Sequence, residues 1–427
     1  MDIFEACYNY HDPDLVKAAG VYPFFRALSS SEGPVVTVDG RQLVMLGSNN
    51  YLGLTHHPDV VKAAHDAIDR YGTGCTGSRF LNGNLDLHET LEAELAAFLE
   101  KPAALVFSSG FLANLGVVGL LGSASDAVLF TAAESHASLL DGARMARSRR
   151  VRVFEDLADL ERQLEKQRNW SHALVLTDGV FSMTGRVADL RGLVALKRQY
   201  GFRLYVDDAH GLGVLGHQGR GTPWSQGVMA DVDVFFGTFS KSFASLGGFI
   251  AADAAVVNYL RHKTRTLIFS AGLAPASTAS ALEALRVMQR DESLYVRLWD
   301  NVAFFKAGVE KLGYHTLGSS TPIVPLFIGS ETLALRICQE AFELGLFATP
   351  AIYPAVPPGH ALIRTSVTPI HTRGHLQTAL DVLATIASRH PIPNVDPTTL
   401  PPTRAIDFNE ALAEHVMAAS STAKSRA

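Results

Sequence analysis

The chain has 427 residues and a formal net charge of −5, and 47% of its residues are hydrophobic against 19% charged. This composition can bury a core and excludes a globally disordered chain, while the length predicts two or three packed units around one large unit. The small net charge gives no support to a nucleic-acid partner. Three cysteines without CxxC or metal-ligand spacing predict neither a disulfide framework nor a metal site: Cys7, Cys75 and Cys338.

The start of the chain and its most apolar stretch favour a protein of the reducing cytoplasm. Met1 is followed by acidic residues, so no signal peptide is expected. The apolar stretch 105–122 is interrupted by serines, glycine and asparagine, which predicts a buried strand and helix and no transmembrane segment. We expect a cytoplasmic location and leave open a peripheral contact with the inner membrane face.

One basic cluster stands out from the even distribution of charge. It could neutralise a polyanion such as the nucleotide end of coenzyme A, or it could be the solvated end of a helix, and we favour the second interpretation. The cluster consists of Arg144, Arg147, Arg149, Arg150 and Arg152.

In chain order, the first predicted elements are a hairpin over Val35–Leu46, with Asp39-Gly40 as its turn, and an amphipathic helix over Pro58–Tyr71. Between about 100 and 270, short apolar runs alternate with helical patterns, which predicts an α/β fold with a doubly wound, mostly parallel sheet. The candidate strands of this sheet are Ala104–Phe107, Ala127–Thr131, Val151–Phe154, Ala173–Thr177, Arg203–Val206, Val232–Phe236 and Gly248–Ala251.

After Pro275 a helical stretch continues to about Lys311 and leads into a smaller α/β unit over 312–390. Five prolines between 391 and 402 then mark a change in amino-acid composition. The candidate strands of the smaller unit are Thr321–Ile328, Leu346–Thr349 and Ala361–Ser366. We predict four segments: an N-terminal arm with the hairpin (1–57), a large domain (58–290), a small C-terminal domain (291–390) and a Pro-rich tail (391–427).

Four polar features follow predicted strands, where ligands bind in an open α/β sheet. The first is Ser109-Gly110-Phe111, a turn into a helix whose N–H groups could hold a phosphate, although such turns are common. The second is His136, whose ring could stack on a flat cofactor or make only a local hydrogen bond.

The third feature is the pair Asp207-Asp208, whose side chains point to opposite sides if the strand geometry persists. One carboxylate could pair with a protonated pyridine nitrogen, although taken alone the pair is more often structural or metal-binding. The fourth is Lys241, set among small and apolar residues that would lower the pKa of its amine, with the hydroxyls of Thr238 and Ser240 nearby for a phosphate. By itself, such a lysine is more often a plain surface residue.

Together the four features provide a phosphate cradle, a stacking ring, an acid for a pyridinium and an amine for an aldehyde. These are the groups that pyridoxal 5'-phosphate (PLP) requires of a protein. The sequence therefore predicts a PLP enzyme in which Lys241 is the Schiff-base lysine.

From about Val35 to 390 the chain resembles the α-oxoamine synthases, a family of fold-type I PLP enzymes. The resemblance implies a large, mostly parallel mixed-sheet domain with a smaller C-terminal α/β domain, and a homodimer with shared active sites. It also implies the decarboxylative condensation of an amino acid with an acyl thioester, on coenzyme A or a carrier protein. The matching motifs are Asn49–Leu54, Tyr71–Arg79, Leu85–Glu92, Ser135–Ser138, Asp207–His210 and Gly237–Ser242. The last motif is most similar to the serine palmitoyltransferase branch, which implies L-serine, a long-chain acyl donor and a product such as 3-ketosphinganine.

The resemblance also implies roles for individual residues. It makes Asp207 the partner of the pyridine nitrogen, His136 the stacking ring and His210 the contact to the phenolic oxygen and substrate carboxylate, all catalytic together with Lys241. Arg364 would bind the amino-acid carboxylate, a task suited to a bidentate guanidinium. The remaining implied contacts to the cofactor come from Ser109, Gly110, Phe111, Thr238 and Ser240. Ser270 would reach the cofactor phosphate of a neighbouring subunit, and Asn50 and Tyr51 would line the partner's substrate site.

Four residues depart from the usual pattern of the family, namely Phe111, Asp178, Arg186 and Asp208. Arg186 places a positive charge near the predicted site where the family usually has an aspartate. The identity of the acyl or amino-acid substrate therefore stays open. Three alternatives follow: a synthase that uses glycine or alanine with another acyl donor, a plain aminotransferase that needs no thioester, and a non-catalytic partner subunit. The presence of Lys241 argues against the last.

Overall fold

The structure is a computed structural model that describes residues 2–30, 33–124, 126–147, 150–166 and 172–393. Its strands are β1 (Val35–Val38), β2 (Arg41–Met45), β3 (Ala103–Phe107), β4 (Ala127–Ala132), β5 (Val151–Phe154), β6 (His172–Asp178), β7 (Arg203–Asp207), β8 (Val234–Thr238), β9 (Gly248–Ala252), β10 (Ile323–Gly329), β11 (Leu346–Phe347), β12 (Thr349–Ala351) and β13 (Ala361–Ser366). Its α-helices are α1 (Glu5–Tyr8), α2 (Asp12–Ala18), α3 (Pro58–Tyr71), α4 (Asp86–Phe98), α5 (Gly110–Leu121), α6 (Ala137–Met145), α7 (Leu157–Lys166), α8 (Leu190–Tyr200), α9 (Thr222–Ser225), α10 (Ala254–Lys263), α11 (Arg265–Ile268), α12 (Pro275–Arg290), α13 (Ser293–Lys311), α14 (Glu331–Glu343) and α15 (Arg373–Arg389).

The large unit is built on a seven-stranded sheet with the order β3-β9-β8-β7-β6-β4-β5. All neighbouring pairs are parallel except those of β9, which runs antiparallel to β3 and β8. The central strand β7 is buried on both faces, because Leu204 and Val206 pack into one hydrophobic core and Tyr205 packs into another. The predicted mostly parallel sheet is confirmed, and each predicted strand lies within two residues of an observed one.

The smaller unit contains the antiparallel sheet β10-β13-β12, and here one sequence prediction is wrong. The predicted single strand Leu346–Thr349 is two strands. Leu346 and Phe347 pair in parallel with the hairpin strand β2, whereas β12, which begins at Thr349, pairs with β13. The chain therefore changes sheets at Ala348, and only partners distant in sequence determine where it does so.

The predicted helical stretch from Pro275 to Lys311 is also interrupted. It forms α12 and α13, with Asp291 in a non-helical conformation between them (φ −112°, ψ 85°). The Asp291 carboxylate accepts a hydrogen bond from the backbone N–H of Ser293 at 3.0 Å. Such a local side-chain acceptor competes with helix propagation and explains the break.

The hairpin β1-β2, predicted over Val35–Leu46, joins the large unit to the small one. After β2, the backbone carbonyl of Leu46 accepts a hydrogen bond from Ser366 N at 2.7 Å, and the carbonyl of Met45 lies 3.0 Å from His371 Nε2. This connection brings the segment after β2, which includes Tyr51, against the end of β13.

Parts of the sequence predictions lie outside the described residues, namely Arg149 of the basic cluster and residues 394–427 of the predicted tail. The four segment limits given above stay a prediction. Within the described ranges, none of the helices has the length and apolar character needed to cross a bilayer.

Candidate active site

A pocket of about 280 Å³ lies at the carboxyl ends of the central strands of the large sheet. It brings together nine of the residues that the sequence singled out. These are Ser109, Gly110, Phe111, His136, Asp207, His210, Thr238, Ser240 and Lys241. The other lining residues are Asn114, Ser138, Asp178, Ala209, Phe236, Leu246 and Gly247.

Lys241 follows the end of β8 and faces this pocket. Burial lowers the pKa of its amine to about 8, while the carboxylates of Asp207 and Asp178 oppose this change and the positive charge of Arg364 adds to it. A lysine with such a pKa is a neutral amine much more often at neutral pH than an exposed one. Its Nζ can therefore act as a nucleophile or as a proton acceptor.

Asp207 is held as a buried acceptor at the end of β7. Its Oδ2 accepts a hydrogen bond from Asn114 Nδ2 at 2.6 Å, and its Oδ1 accepts one from Ala209 N at 3.0 Å. The amide of Asn114 is oriented in turn by the Tyr205 hydroxyl, which donates to its Oδ1 at 2.7 Å. A carboxylate that is buried and fixed in this way can pair with a cation in the pocket.

The neighbouring Asp208 points to the other face of the sheet. Its two carboxylate oxygens accept hydrogen bonds from the backbone N–H and the hydroxyl of Thr222, both at 2.6 Å. Burial raises the pKa of Asp208 to about 7. Glycines allow the backbone to approach this carboxylate, since a Cβ would lie 2.0 to 2.2 Å from its oxygens at Gly179, Gly211 and Gly221. Asp208 therefore closes the loop between β7 and α9 and does not line the pocket.

His136 caps the start of α6 at the edge of the pocket. Its backbone N–H donates to Asp178 Oδ1 at 3.1 Å, and its ring Nδ1 lies 2.7 Å from Ser138 Oγ. The ring meets that of Phe111 edge to face, with the centroids 6.3 Å apart. Burial and the nearby charge of Asp207 raise the pKa of Asp178 well above its usual value.

At the turn into α5, no capping side chain occupies the first backbone N–H groups of the helix. Ser109 is extended at the helix N-cap, and its side chain makes no capping hydrogen bond. Thr238 Oγ1 lies 3.0 Å from Ser240 Oγ, and a Cβ on Gly110 would come within 3.0 Å of Thr238 Oγ1. Free N–H groups at a helix N-terminus, with hydroxyls beside them, can bind a phosphate.

Tyr51, His210 and Arg364 form a buried cluster beside the pocket. The Tyr51 hydroxyl lies 2.7 Å from His210 Nδ1 and accepts a hydrogen bond from Arg364 Nη2 at 2.9 Å. Arg364 also donates from Nε to the carbonyl of Ser182 at 2.8 Å and from Nη1 to Ser366 Oγ at 3.0 Å. Tyr51, which was expected to line a partner's site, thus contacts two site residues of its own chain. Its contribution to a partner's site stays a prediction.

The comparisons with known proteins show the family of this chain. Residues 41–383 match the family model described as aminotransferase class I and II. A serine palmitoyltransferase from Bacteriovorax stolpii is 46% identical over 89% of this chain and 91% of its own length, and an 8-amino-7-oxononanoate synthase from Thermoanaerobacter pseudethanolicus is 40% identical over 87% and 96%. The solved structure of a serine palmitoyltransferase from S. paucimobilis with bound PLP and myriocin superposes with a TM-score of 0.87 at 30% identity, covering 91% of this chain and 99% of that one.

The chain belongs to the α-oxoamine synthases. PLP is the cofactor of this synthase. The residues present fit PLP in their donor chemistry: an amine of lowered pKa, a buried carboxylate without a cationic partner among its hydrogen bonds, and uncapped N–H groups beside two hydroxyls. Residues that would hold it are Lys241 at the aldehyde, Asp207 at the ring nitrogen, His136 at the ring face, and Ser109, Gly110, Phe111, Thr238 and Ser240 at the phosphate.

Three polar residues of the synthase's pocket were missed as site residues, although signals for them exist. Asn114 lies one helical turn after Gly110 and therefore on the same face of α5. Asp178 ends β6 directly beside Asp207 in the parallel register. Ser138 stands two residues after His136 in a motif that had been recognised only for its histidine.

Asn50 and Ser270 do not line the pocket in the described part of the chain. The Asn50 side chain donates to Thr55 Oγ1 at 2.8 Å and accepts from Leu54 N at 3.1 Å, so it shapes its own turn. Ser270 follows Phe269, which is 73% exposed. The substrate and neighbouring-subunit roles of Asn50 and Ser270 stay predictions.

The charge reversal at Arg186 is compensated locally. Its guanidinium donates to Glu134 Oε1 at 2.5 Å and lies over the ring of Phe181, 4.3 Å from the ring centroid. Glu134 comes two residues before His136, so the ion pair joins the loop that carries this histidine to the loop after β6. Arg186 is therefore paired with a residue of its own chain.

Proposed function

We propose that this synthase condenses L-serine with a long-chain acyl-CoA and releases CO₂, free thiol and an α-amino ketone such as 3-ketosphinganine. The observation that carries the proposal is a pocket lined by a lysine amine and a buried carboxylate, with an arginine beside it that has donors left for a carboxylate. The choice of L-serine is supported by the serine palmitoyltransferases among the relatives and by the Phe239-Ser240 pair before Lys241.

Arg364 has N–H donors that remain available to bind a substrate. A guanidinium carries five N–H donors, and three of them are engaged by Ser182, Ser366 and Tyr51. The two that remain, one on Nη1 and one on Nη2, can bind the two oxygens of an amino-acid carboxylate side by side. This would hold the amino acid with its Cα toward the pocket.

Bound PLP supplies an aldehyde that captures amines and a ring that withdraws electrons from Cα. Asp207 would hold a proton on the ring nitrogen, since its carboxylate accepts only neutral N–H donors from the protein. Lys241 Nζ would remove and return the proton at Cα, a task that suits an amine with a pKa of about 8. His136 would cover one face of the ring and limit the access of water.

A second candidate is a synthase that uses glycine or alanine with another acyl thioester, on coenzyme A or a carrier protein. It is favoured by the 8-amino-7-oxononanoate synthases, which are about as similar to this chain as several of the serine palmitoyltransferases. A non-catalytic partner subunit is disfavoured, because Lys241 and all the other predicted cofactor contacts except Ser270 line one pocket.

Product analysis separates these candidates. We expect the purified PLP-loaded protein, given L-serine and a long-chain acyl-CoA, to form the corresponding 3-keto long-chain base, identified by mass spectrometry. Parallel reactions with glycine or L-alanine, and with short-chain acyl-CoA, should give little product. A product only from alanine or glycine would overturn the serine proposal, and a keto acid without thiol release would indicate an aminotransferase.

We further propose that the synthase is a homodimer. Large apolar side chains are exposed close in sequence to segments that the family resemblance assigns to the partner, with Leu81 78% and Phe269 73% exposed. Burying them against a second copy would be favourable. Sedimentation of the holoenzyme should give twice the chain mass, with Phe269→Asp shifting it toward the monomer; a wild-type monomer at micromolar concentration would contradict the proposal.

A further inference from the structure

The turn formed by residues 181–186, which follows β6 of the large unit, contacts the arginine proposed to bind the substrate carboxylate. The two ends of the turn are held together, because Phe181 N donates to the carbonyl of Arg186 at 2.9 Å. Between them, the carbonyl of Ser182 accepts a hydrogen bond from Arg364 Nε at 2.8 Å. Arg364 is only 6% exposed, so bulk water is not at hand to replace this acceptor. The position of the turn therefore contributes to the orientation of the guanidinium.

Gly185 fits the same turn closely against the smaller unit. Its φ is +65°, and a Cβ at this position would lie 2.4 Å from Ser319 Oγ, so only glycine fits. Thr321 Oγ1 lies 3.3 Å from the carbonyl of Gly185, which is long for a hydrogen bond from a hydroxyl. The turn thus touches the smaller unit on this side without a strong polar contact at Gly185.

Glu134 attaches the turn to the large unit on the other side. It lies in the loop between β4 and α6, and its Oε1 accepts a hydrogen bond from Arg186 Nη2 at 2.5 Å. Its Oε2 accepts one from Thr184 Oγ1 at 3.2 Å. The Arg186 guanidinium also lies 4.3 Å from the ring centroid of Phe181, whose side chain is buried. Both oxygens of one carboxylate are therefore bound by residues of the turn.

We infer that Glu134 and Arg186 are positioning residues for amino-acid binding. Their ion pair holds the turn, and with it the carbonyl of Ser182, where Arg364 can present its remaining donors to a carboxylate. Neither Glu134 nor Arg186 lines the pocket, so both act through Arg364. The inference rests on the proposed function, because it takes Arg364 as the site of the substrate carboxylate. A merely structural ion pair would affect the stability of the protein and leave its affinity for the amino acid unchanged.

The test is charge reversal in the PLP-loaded protein, with the dissociation constant of the amino acid measured from the change in cofactor absorbance. The two side chains are 50% and 41% exposed, and ion pairs of this kind change an equilibrium constant by up to about fivefold. Since reversal also adds repulsion, Arg186→Glu and Glu134→Arg should each raise the dissociation constant about fivefold. The double variant Glu134→Arg/Arg186→Glu restores an ion pair and should return it to within about twofold of the wild type.

The affinity of the apoprotein for PLP, measured by fluorescence titration, should change little in these variants. His136 shares the loop of Glu134, but it has its own contacts to Asp178 and Ser138. A selective loss of amino-acid binding would therefore separate an effect on Arg364 from a general distortion of the pocket.

The matched control is Arg198→Glu, which reverses a charge opposite Asp231 in another exposed ion pair. This pair lies near the amino ends of β7 and β8, at the sheet edge opposite the pocket, and its reversal should leave amino-acid binding unchanged. Dissociation constants that change less than about twofold in both single variants, an equal change in the control, or no recovery in the double variant would overturn the inference.

Arg186→Gln removes the charge without reversing it, and it decides the question in the same way if a reversed charge prevents folding. We expect it to raise the dissociation constant about threefold, and an unchanged constant would overturn the inference. A wild-type holoenzyme that binds none of serine, glycine and alanine would contradict the proposed function and this inference with it. Wild-type binding that all the variants share would contradict only the inference.

Discussion

Replacing Lys241 with alanine is expected to abolish turnover and the visible absorbance that PLP acquires when it is bound to a lysine. The variant loses the only lysine amine that lines the pocket in the described part of the chain, and with it the group proposed to move the Cα proton. The measurement is thiol release from acyl-CoA, together with absorption spectra of the protein after addition of PLP.

The control for this experiment is Lys263→Ala, which removes an exposed lysine at the end of α10. It should retain the spectrum and activity of the wild type, since surface substitutions of this kind change stability little. A Lys241→Ala protein that kept both the absorbance and turnover would contradict the assignment of Lys241. Thermal unfolding of both variants excludes misfolding as the cause of a loss.

Asp207→Asn is expected to lower kcat by at least about 100-fold, because it leaves a protonated ring nitrogen without its buried counter-charge. The asparagine has nearly the same shape and can keep one of the two hydrogen bonds from Asn114 and Ala209. The affinity of the apoprotein for PLP should fall as well. Fluorescence titration with PLP and steady-state kinetics measure the two effects separately.

The adjacent carboxylate gives a matched control, since Asp208→Asn makes the same chemical change directly after β7 and on the opposite face of the sheet. Its partner is Thr222, and the amide can keep a hydrogen bond to the Thr222 N–H. We expect this variant to lose stability but to retain kcat within a few-fold. Equal losses of kcat in the two variants would contradict the assignment of the cofactor carboxylate to Asp207.

Much of the fold and of the pocket could be predicted because both depend on local pattern. Strands covered on both faces by helices are continuous apolar runs, so β4, β6 and β7 are visible in the sequence. The carboxyl ends of parallel strands share one edge of the sheet, which is why polar residues after β7 and β8, such as Asp207 and Lys241, meet in space. The α-oxoamine synthase resemblance then extended this reasoning to Arg364.

The remaining features depend on contacts between distant parts of the chain. Arg364 and Tyr51 are 313 residues apart, and nothing near either residue indicates that their side chains meet. The division of 346–349 between two sheets has the same origin, because each half pairs with a strand far away in sequence. Asn114 was missed because its importance comes from Asp207, which it orients across the pocket.

The most direct test of the central claim follows both leaving groups of the condensation in one reaction. With L-serine labelled at its carboxyl carbon and a long-chain acyl-CoA, the wild-type holoenzyme should release labelled CO₂ and free thiol in equal amounts, and neither should appear when one substrate is omitted. Labelled CO₂ without acyl-CoA would indicate a simple decarboxylase, and thiol without CO₂ would indicate thioester hydrolysis. Either result would contradict a decarboxylative condensation at Lys241.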